Sequence, residues 1–359
     1  MDVKENIRRW VRPEIQALSA YHVPPADGLV KLDAMENPWP WPAELREAWL
    51  EVVQAAALNR YPDPTAGALQ ATLREAMSVP ASAQVVLGNG SDELIQMIVQ
   101  TVAAPGRVIM APEPTFVMYR QIAAVCGLEF SGVPLNADFS LDRGQLLAAV
   151  EAWQPAVIFL AYPNNPTGNL FDANIIRELL GVADGLVVVD EAYAPFTDAS
   201  FMSALGEFTN LLVLRTVSKL GLAGIRLGML AGDPAWLEQI DKTRLPYNIG
   251  TLNQLTGVFA LQHKSVFDEQ ARKIRDARGE LDARLREFAQ LTVYSSEANF
   301  ILFRVPEGRA DALYAGLREA GVLVKNLNGS SHALQDCLRV TVGQPDENRA
   351  FIDALASLL

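Results

Sequence analysis

Lys219 is the residue of this sequence whose type and setting best suit covalent chemistry. It lies in "RTVSKLGLAGIRLG" (215–228), just after an apolar run and beside Ser218, where small residues permit close backbone approach. A lysine withdrawn from water loses basicity, and a neutral amine can form a Schiff base with an aldehyde. Most lysines are simply exposed to solvent, and that ordinary interpretation stays open for Lys219 considered alone.

Three more polar clusters also follow apolar runs. Asp190 of "DEAY" comes directly after "LVVV", where burial is expected, and a buried carboxylate needs a cationic partner. In "GNGSDE" (88–93), glycines precede a helix start whose free N–H groups suit a phosphate, although the stretch also suits a plain turn with an N-cap. The motif "YPNNPTG" (162–168) is equally compatible with an ordinary turn.

The apolar runs before these clusters have the length and spacing of strands in an α/β protein. Continuous apolar strands separated by helices are typical of a mostly parallel sheet with helices on both faces. Because ligands bind outside the carboxyl ends of such strands, the four polar clusters are predicted to meet at one edge of the sheet. We predict strands at 84–88, 107–111, 156–161, 186–190, 211–215 and 228–232, and helices at 92–103, 116–126 and 172–183.

A change of pattern after Pro246 predicts a second domain. A charged helical stretch runs from about 251 to 290, and it is followed by "NFILFRV" and "CLRVTVG", which predict strands. We expect an N-terminal arm over residues 1–29 that contributes to the small domain and to a dimer. The large cofactor-binding domain is predicted over 30–245 and the smaller α+β domain over 246–359.

Composition and charge favour a protein of the cytoplasm. The 359 residues include 30 Lys and Arg against 42 Asp and Glu, and the formal net charge of −12 disfavours nucleic acid as a partner. Cys126 and Cys337 have no metal-binding spacing, and so few cysteines predict a reducing compartment. The charged amino terminus lacks a signal-peptide core, and no run reaches the roughly 18 apolar residues of a membrane span. We expect no metal and no membrane partner.

One cofactor, pyridoxal phosphate, would satisfy all of these clusters. Its aldehyde would react with Lys219, and its pyridine nitrogen would pair with the Asp190 carboxylate. Its phosphate would bind the helix start at Gly90 to Asp92. The sequence therefore predicts a pyridoxal-phosphate enzyme.

Five motifs, in this order and spacing, resemble those of the fold type I pyridoxal-phosphate aminotransferases. They are "NRYPDPT", "YPNNPTG", "VVVDEAY", "RTVSK" followed by "GLAGIRLG", and "CLRVTVG". The resemblance runs from about Arg12 to Gly343. It implies a large domain with a mostly parallel seven-stranded sheet covered by helices on both faces, plus a smaller α+β domain. Lys219 and Arg226 are seven positions apart here, one fewer than the commoner family pattern.

The resemblance also implies a role for each matching residue. Lys219, Asp190 and Tyr193 would be catalytic, with Lys219 as the Schiff-base lysine and proton carrier. The implied cofactor-binding residues are Tyr61, Gly90, Ser91, Asp92, Phe116, Asn165, Asp190, Tyr193, Thr216, Ser218, Lys219 and Arg226. The implied substrate-binding residues are Tyr21, Asn37, Lys325 and Arg339.

Some of these implied roles are specific. Asn165 and Tyr193 would hydrogen-bond the phenolic oxygen of the cofactor, and Phe116 would stack on its ring. Tyr61 would reach the cofactor phosphate of a neighbouring subunit, which implies a homodimer with shared active sites. Arg339 would bind the carboxylate of glutamate.

The implied reaction is transamination between L-histidinol phosphate and 2-oxoglutarate, which gives imidazole acetol phosphate and L-glutamate in histidine biosynthesis. Two alternatives remain: an aromatic amino-acid aminotransferase, and a pyridoxal-phosphate decarboxylase of a phosphorylated amino acid. A cofactor-binding regulator would need a DNA-binding module, and only some 30 residues precede the predicted core.

Overall fold

The computed structural model describes residues 2–20 and 25–359. Its strands are β1 Val30–Lys31, β2 Gln84–Gly88, β3 Val108–Glu113, β4 Glu129–Pro134, β5 Val157–Ala161, β6 Leu186–Asp190, β7 Leu211–Thr216, β8 Gly228–Gly232, β9 Thr292–Val293, β10 Phe300–Arg304, β11 Val322–Leu323, β12 Lys325–Asn326 and β13 Cys337–Thr341. Its α-helices are α1 Val3–Trp10, α2 Pro13–Gln16, α3 Ala43–Gln54, α4 Gly67–Ala76, α5 Gly90–Val102, α6 Met118–Val125, α7 Arg143–Trp153, α8 Ala173–Val182, α9 Pro234–Asp241, α10 Thr251–Gln262, α11 Lys264–Arg286, α12 Ala310–Glu319 and α13 Pro345–Leu358.

The central feature is a seven-stranded sheet with the order β2-β8-β7-β6-β5-β3-β4. Strand β8 is antiparallel to both of its neighbours, and the other strand pairs are parallel. The predicted α/β class with a mostly parallel seven-stranded sheet is therefore confirmed. The six predicted strands are present, and the seventh is β4, whose sequence "EFSGVP" buries only Val133 at the sheet edge.

Helices cover both faces of this sheet, as the continuous apolar runs predicted. In β6, Val187 and Val189 pack on the face covered by α4, α7 and α8, whereas Leu186 and Val188 pack on the face covered by α5, α6 and α9. All four side chains are fully buried. A strand buried on both faces has no polar position to alternate with, which explains the run "LVVV".

The sheet topology brings the polar clusters to one edge. Strands β2, β5, β6 and β7 run in the same direction and end at that edge, with Gly88, Ala161, Asp190 and Thr216 as their last residues. Strand β8 runs the other way and therefore begins at the same edge, at Gly228. The predicted convergence of the clusters thus follows from the strand directions.

The C-terminal part contains a second, antiparallel sheet with the order β12-β13-β10-β9. The predicted single helical stretch over 251–290 is wrong in detail, because His263 leaves helical geometry and separates α10 from α11. Phe259 of α10 and Phe267 at the start of α11 pack with the large sheet, whereas Ile274 further along α11 packs with the second sheet.

The amino-terminal strand β1 pairs in parallel with β11, so this early segment contacts the C-terminal part of the chain. The domain boundaries at 29/30 and 245/246 stay predictions. No helix within 2–20 and 25–359 is long and apolar enough to cross a membrane.

Candidate active site

Lys219 lies directly after β7, on a short turn of π-helix at Ser218–Leu222 that Gly221 interrupts with a φ of 124°. Its Nζ is 3.4 Å from the carbonyl oxygen of Ala34, to which it donates, and 5.7 Å from the ring centre of Tyr193. The amine is therefore held between the amino-terminal segment and the loop after β6. It points across the carboxyl edge of the sheet, as predicted.

The surroundings of Lys219 make its amine easier to deprotonate. Burial and the positive charges of Arg339 and Arg226 together lower the pKa of Lys219 to about 8, against opposing effects of the Glu36 and Asp92 carboxylates. A substantial fraction of such an amine is neutral at physiological pH. This is the property that the sequence predicted for a nucleophilic lysine.

Asp190 ends β6 and is almost fully buried, with 4% of its surface exposed. Its Oδ2 accepts a hydrogen bond of 2.7 Å from the Tyr119 hydroxyl, and its Oδ1 accepts one of 3.1 Å from the Ala192 N–H. Burial raises the pKa of Asp190 to about 6, and the two hydrogen bonds oppose that rise. No positive side chain pairs with this carboxylate within the described part of the chain, so a cationic ligand group would stabilise it.

Asn165 and Arg339 contact each other across the site, although 174 positions separate them in sequence. Arg339 Nη1 donates to the Asn165 side-chain oxygen at 2.6 Å, and its Nη2 donates to the Asp33 carbonyl at 3.0 Å. The Asn165 amide must then direct its Nδ2 donor elsewhere, and that nitrogen forms no hydrogen bond in the ranges that the structure describes. It is available to donate to a ligand oxygen.

Tyr193 closes the side of the site nearest to the lysine. Its hydroxyl lies 3.2 Å from the sulfur of Met35, and its ring meets Phe300 edge to face at 5.2 Å. Burial raises the pKa of Tyr193 far above its ordinary value, so the phenol stays protonated and can donate. The thioether of Met35 is a weak acceptor that a ligand oxygen can replace.

The start of α5 lies close to Arg226 and to Gly228, the first residue of β8. Gly90 has a φ of 80°, and a Cβ atom at this position would lie 2.6 Å from Nη2 of Arg226. A Cβ atom at Gly228 would lie 2.9 Å from the Ser91 N–H. Both glycines therefore permit close approach, and backbone N–H groups with the Arg226 guanidinium surround a space of the kind that binds phosphate.

The remaining predicted phosphate ligands point towards the same region. Arg226 donates to Asp92 Oδ2 at 3.3 Å, and half of its side-chain area is exposed. Thr216 and Ser218 are buried and hydrogen-bonded to each other at 2.9 Å. In the segment from Lys219 to Arg226, Gly221 and Arg226 have positive φ values of 124° and 46°.

Four more residues that were predicted for the site lie in different parts of the molecule. Phe116 is partly buried and packs perpendicular to Tyr119 at 5.5 Å. Tyr61 is 80% exposed and stacks on Tyr247, and its predicted contact with a neighbouring subunit stays a prediction. Lys325 is opposite Arg339 in the β12–β13 register, so both side chains leave the same face of the second sheet. Tyr21 lies outside the described residues.

Asn37 does not point its polar atoms into the site. Its Nδ2 donates to Leu220 O and Gln270 Oε1, and its oxygen accepts from the Trp39 N–H. These contacts support the segment that carries Lys219. Both donor positions of the amide are used within the protein, and the predicted substrate contact of Asn37 stays a prediction.

A cavity of about 350 Å³ lies beside the site, on the other side of Thr216. Its polar wall includes fully buried Glu191, which accepts from Arg215 and from Ser200. Glu191 and Arg215 therefore form an ion pair in the cavity wall. The chemistry is at the adjoining edge, where Lys219 and Asp190 converge.

The residues present fit pyridoxal phosphate. A buried carboxylate suits a protonated pyridine nitrogen, the Asn165 amide and the Tyr193 phenol suit a phenolate oxygen, and the Gly90 cradle with Arg226 suits a phosphate. Lys219 supplies the amine for the aldehyde. Sequence reasoning missed Tyr119, the partner of Asp190, because "VMYRQIAAV" reads as an ordinary helix.

The comparisons with known proteins agree with this site. A model of the family described as aminotransferase class I and II matches residues 27–355. Histidinol-phosphate aminotransferase 2 of Nitrosococcus oceani is 54% identical over 352 residues, which cover 98% of both chains. Histidinol-phosphate aminotransferase of Chromobacterium violaceum is 51% identical over 353 residues, 98% of this chain and 99% of that one.

Solved structures share the fold at lower identity. Histidinol-phosphate aminotransferase from Sinorhizobium meliloti in complex with pyridoxal-5'-phosphate superposes with a TM-score of 0.86 at 22% identity, covering 98% of both chains. L-threonine-O-3-phosphate decarboxylase from Porphyromonas gingivalis superposes with a TM-score of 0.77 at 23% identity, covering 92% of this chain and 99% of that one.

Fold and site together define an aminotransferase of class I and II, an enzyme class that uses pyridoxal phosphate, and the predicted enzyme class and cofactor are confirmed. With relatives this similar along nearly its whole length, the chain belongs to the histidinol-phosphate aminotransferase family.

Proposed function

We propose that this enzyme transfers an amino group between L-histidinol phosphate and 2-oxoglutarate, giving imidazole acetol phosphate and L-glutamate in histidine biosynthesis. The relatives at 54% and 51% identity support this substrate pair. The observation that carries the proposal is the pair of cations Lys325 and Arg339, which are opposite each other on β12 and β13. One cation suits a carboxylate, whereas two suit a substrate that also carries a phosphate.

The two cations have different surroundings. Arg339 is 5% exposed and fixed by Asn165 and by the Asp33 carbonyl, so its guanidinium has a set orientation for planar, bidentate binding of a carboxylate. Lys325 is half-buried, and its side chain forms no hydrogen bond or ion pair in the described ranges. A flexible, unengaged ammonium suits a phosphate that is present on one substrate and absent from the other.

Different residues of the chain then perform different parts of the amino-group transfer. Pyridoxal phosphate, when bound, supplies an aldehyde and an electron-withdrawing ring. Lys219 holds the cofactor and carries the proton to and from the substrate carbon, as its lowered pKa allows. Asp190 would pair with the pyridine nitrogen and keep it protonated. Asn165 Nδ2 and the Tyr193 hydroxyl would donate to the phenolic oxygen, and Arg226 with the start of α5 would hold the phosphate.

A panel of amino donors with 2-oxoglutarate tests the substrate proposal. We expect kcat/KM for histidinol phosphate to exceed that for phenylalanine and tyrosine, with glutamate as the measured product. The aromatic-aminotransferase alternative requires the reverse order. Release of carbon dioxide from a phosphorylated amino acid, without formation of glutamate, would instead indicate the decarboxylase. The structural likeness to a decarboxylase shows a shared fold alone.

Lys325→Met provides a sharper test of the phosphate contact. A charge-assisted contact to phosphate contributes roughly 1.5–3 kcal/mol, so kcat/KM for histidinol phosphate should fall by about tenfold or more while that for glutamate barely changes. Steady-state kinetics with each substrate measure the two values separately.

Lys242→Met is the matched control. Lys242 is the C-cap residue of α9, it is exposed, and it is far from Lys325 in sequence. Equal losses for both substrates in Lys325→Met would indicate a structural role. No loss for either would remove the phosphate contact from the proposal.

We further propose a cytoplasmic homodimer in which Tyr61 completes the site of the neighbouring subunit. Tyr61 and Tyr247 stack with ring centres 4.5 Å apart, although Tyr61 is 80% exposed. Leu58 and Leu245 are 70% and 71% exposed in the same two segments of sequence. Large apolar side chains grouped on the surface support an interface with a second copy.

Tyr61→Phe should leave the dimer intact and weaken cofactor retention, because the ring stays while the hydroxyl that reaches the phosphate is lost. Dialysis followed by absorbance measures the retained cofactor, and sedimentation velocity measures assembly. Tyr314→Phe, a matched loss of hydroxyl on α12, should change neither. A fully active wild-type monomer at assay dilution would exclude a shared site.

A further inference from the structure

Tyr119 connects two residues of the cofactor site from a fully buried position on α6. Its hydroxyl donates to Asp190 Oδ2 at 2.7 Å. Its ring lies nearly parallel to Phe159, with centres 4.6 Å apart and planes 8° apart, so the aromatic stack fixes the direction of the hydroxyl. Phe116 meets the same ring at 86°.

We infer that Tyr119 is a positioning residue that orients the Asp190 carboxylate and keeps it negatively charged for the pyridine nitrogen of the cofactor. The inference rests on the role proposed for Asp190. In addition to its apolar side chains that face the sheet, α6 then contributes one residue to the cofactor site. The orientation of Asp190 Oδ2 depends on this residue, which is 71 positions away in sequence.

The direction of this hydrogen bond is fixed. Burial and the negative charge of Asp190 raise the pKa of Tyr119 well above its ordinary value, so the hydroxyl remains protonated and always donates. Burial alone favours the neutral acid at Asp190, and its pKa is about 6 with the tyrosine in place. Without the donor, the carboxyl would take up a proton at a higher pH.

The other ionisable groups around Asp190 do not replace this donor. Asp92 on α5 and the neighbouring Glu191 are acids, and each favours the protonated form of Asp190. The Tyr193 hydroxyl points to Met35, and Lys219 Nζ donates to the Ala34 carbonyl and lies 5.7 Å from the Tyr193 ring centre. Tyr119 is therefore the side-chain donor to Asp190 among the described residues.

The test measures pyridoxal-phosphate binding to the apoprotein of Tyr119→Phe and of wild type by equilibrium dialysis from pH 5.5 to pH 9. Loss of one charge-assisted hydrogen bond raises the Asp190 pKa by about one unit. The ratio of variant to wild-type Kd should therefore be close to tenfold at pH 5.5 and should fall to about one at pH 9. Both proteins contain Lys219, so its titration cancels in the ratio.

Two further variants separate orientation from packing. Tyr119→Leu removes the ring that supports Phe116 as well as the donor, so it should add a pH-independent loss to the same pH-dependent one. Tyr314→Phe should give a ratio of one at every pH. A Tyr119→Phe ratio that is constant with pH, whether one or larger, would overturn the inference.

The measurement requires no amino-group transfer. An enzyme that prefers phenylalanine would contradict the proposed substrate and leave the pH-dependent ratio intact. A constant ratio in an enzyme that transaminates histidinol phosphate would contradict only the role of Tyr119. The two proposals therefore fail independently.

Discussion

Lys219→Ala protein should fold, bind pyridoxal phosphate without a covalent bond, and transfer amino groups roughly 1,000-fold or more slowly than wild type. The amine at this position both holds the cofactor and moves the proton, and no second lysine contacts Tyr193 or Ala34 within the described ranges. Single-turnover kinetics measure the loss. Mass spectrometry after borohydride reduction shows whether the cofactor is attached to the chain.

The matched control is Lys242→Ala, which removes an exposed lysine and should leave both the rate and the attachment unchanged. In wild type, attachment should speed up as the pH rises and level off above about 8, because the neutral amine reacts and the pKa of Lys219 is about 8. Covalent attachment in Lys219→Ala at the wild-type level would show that another lysine performs this chemistry.

Asp190→Asn should lower kcat by about 100- to 4,000-fold. Removing one partner of a buried charge pair costs about 3–5 kcal/mol, and each 1.4 kcal/mol is a factor of ten in rate. The amide has nearly the shape of the carboxylate, so the neighbours Tyr119 and Ala192 remain packed while the charge is lost. Stopped-flow absorbance of the half-reaction with histidinol phosphate measures the rate.

Asp233→Asn is the matched control, because Asp233 also accepts a backbone N–H, that of Ala235, but at the start of α9. It should alter stability slightly and the rate not at all. A near wild-type rate in Asp190→Asn would mean that the pyridine nitrogen needs no anionic partner. Thermal denaturation of each variant separates a catalytic loss from unfolding.

The sequence predicted the sheet edge of the site because each residue there follows a distinctive strand. Asp190 and Lys219 come after runs that only a doubly covered sheet accommodates, so their convergence followed from strand order alone. The arrangement of Arg339 against Asn165 was not predictable in this way. It depends on how the second sheet packs against the first, and no local pattern encodes that contact.

Tyr119 and Asn37 illustrate the remaining difficulty. Tyr119 occupies a helical position that is indistinguishable from an ordinary core residue, and its function is visible only when α6 is packed on β6. Asn37 was predicted to bind substrate, yet the structure uses its amide to join Leu220 and Gln270. In both cases the partner lies far away in sequence, and side-chain direction is decided by tertiary contacts.

The position of β8 in the sheet affects how the chain folds during its synthesis. It lies between β2 and β7 and pairs with both, although it is the last of the seven strands to leave the ribosome. Until it inserts, β2 and β7 have unpaired edges, and Gly228 cannot meet Gly90. A nascent chain that stops before residue 228 therefore leaves β2 without a strand partner and one edge of β7 open, and the close approach of Gly228 to Gly90 forms only when the sheet is complete.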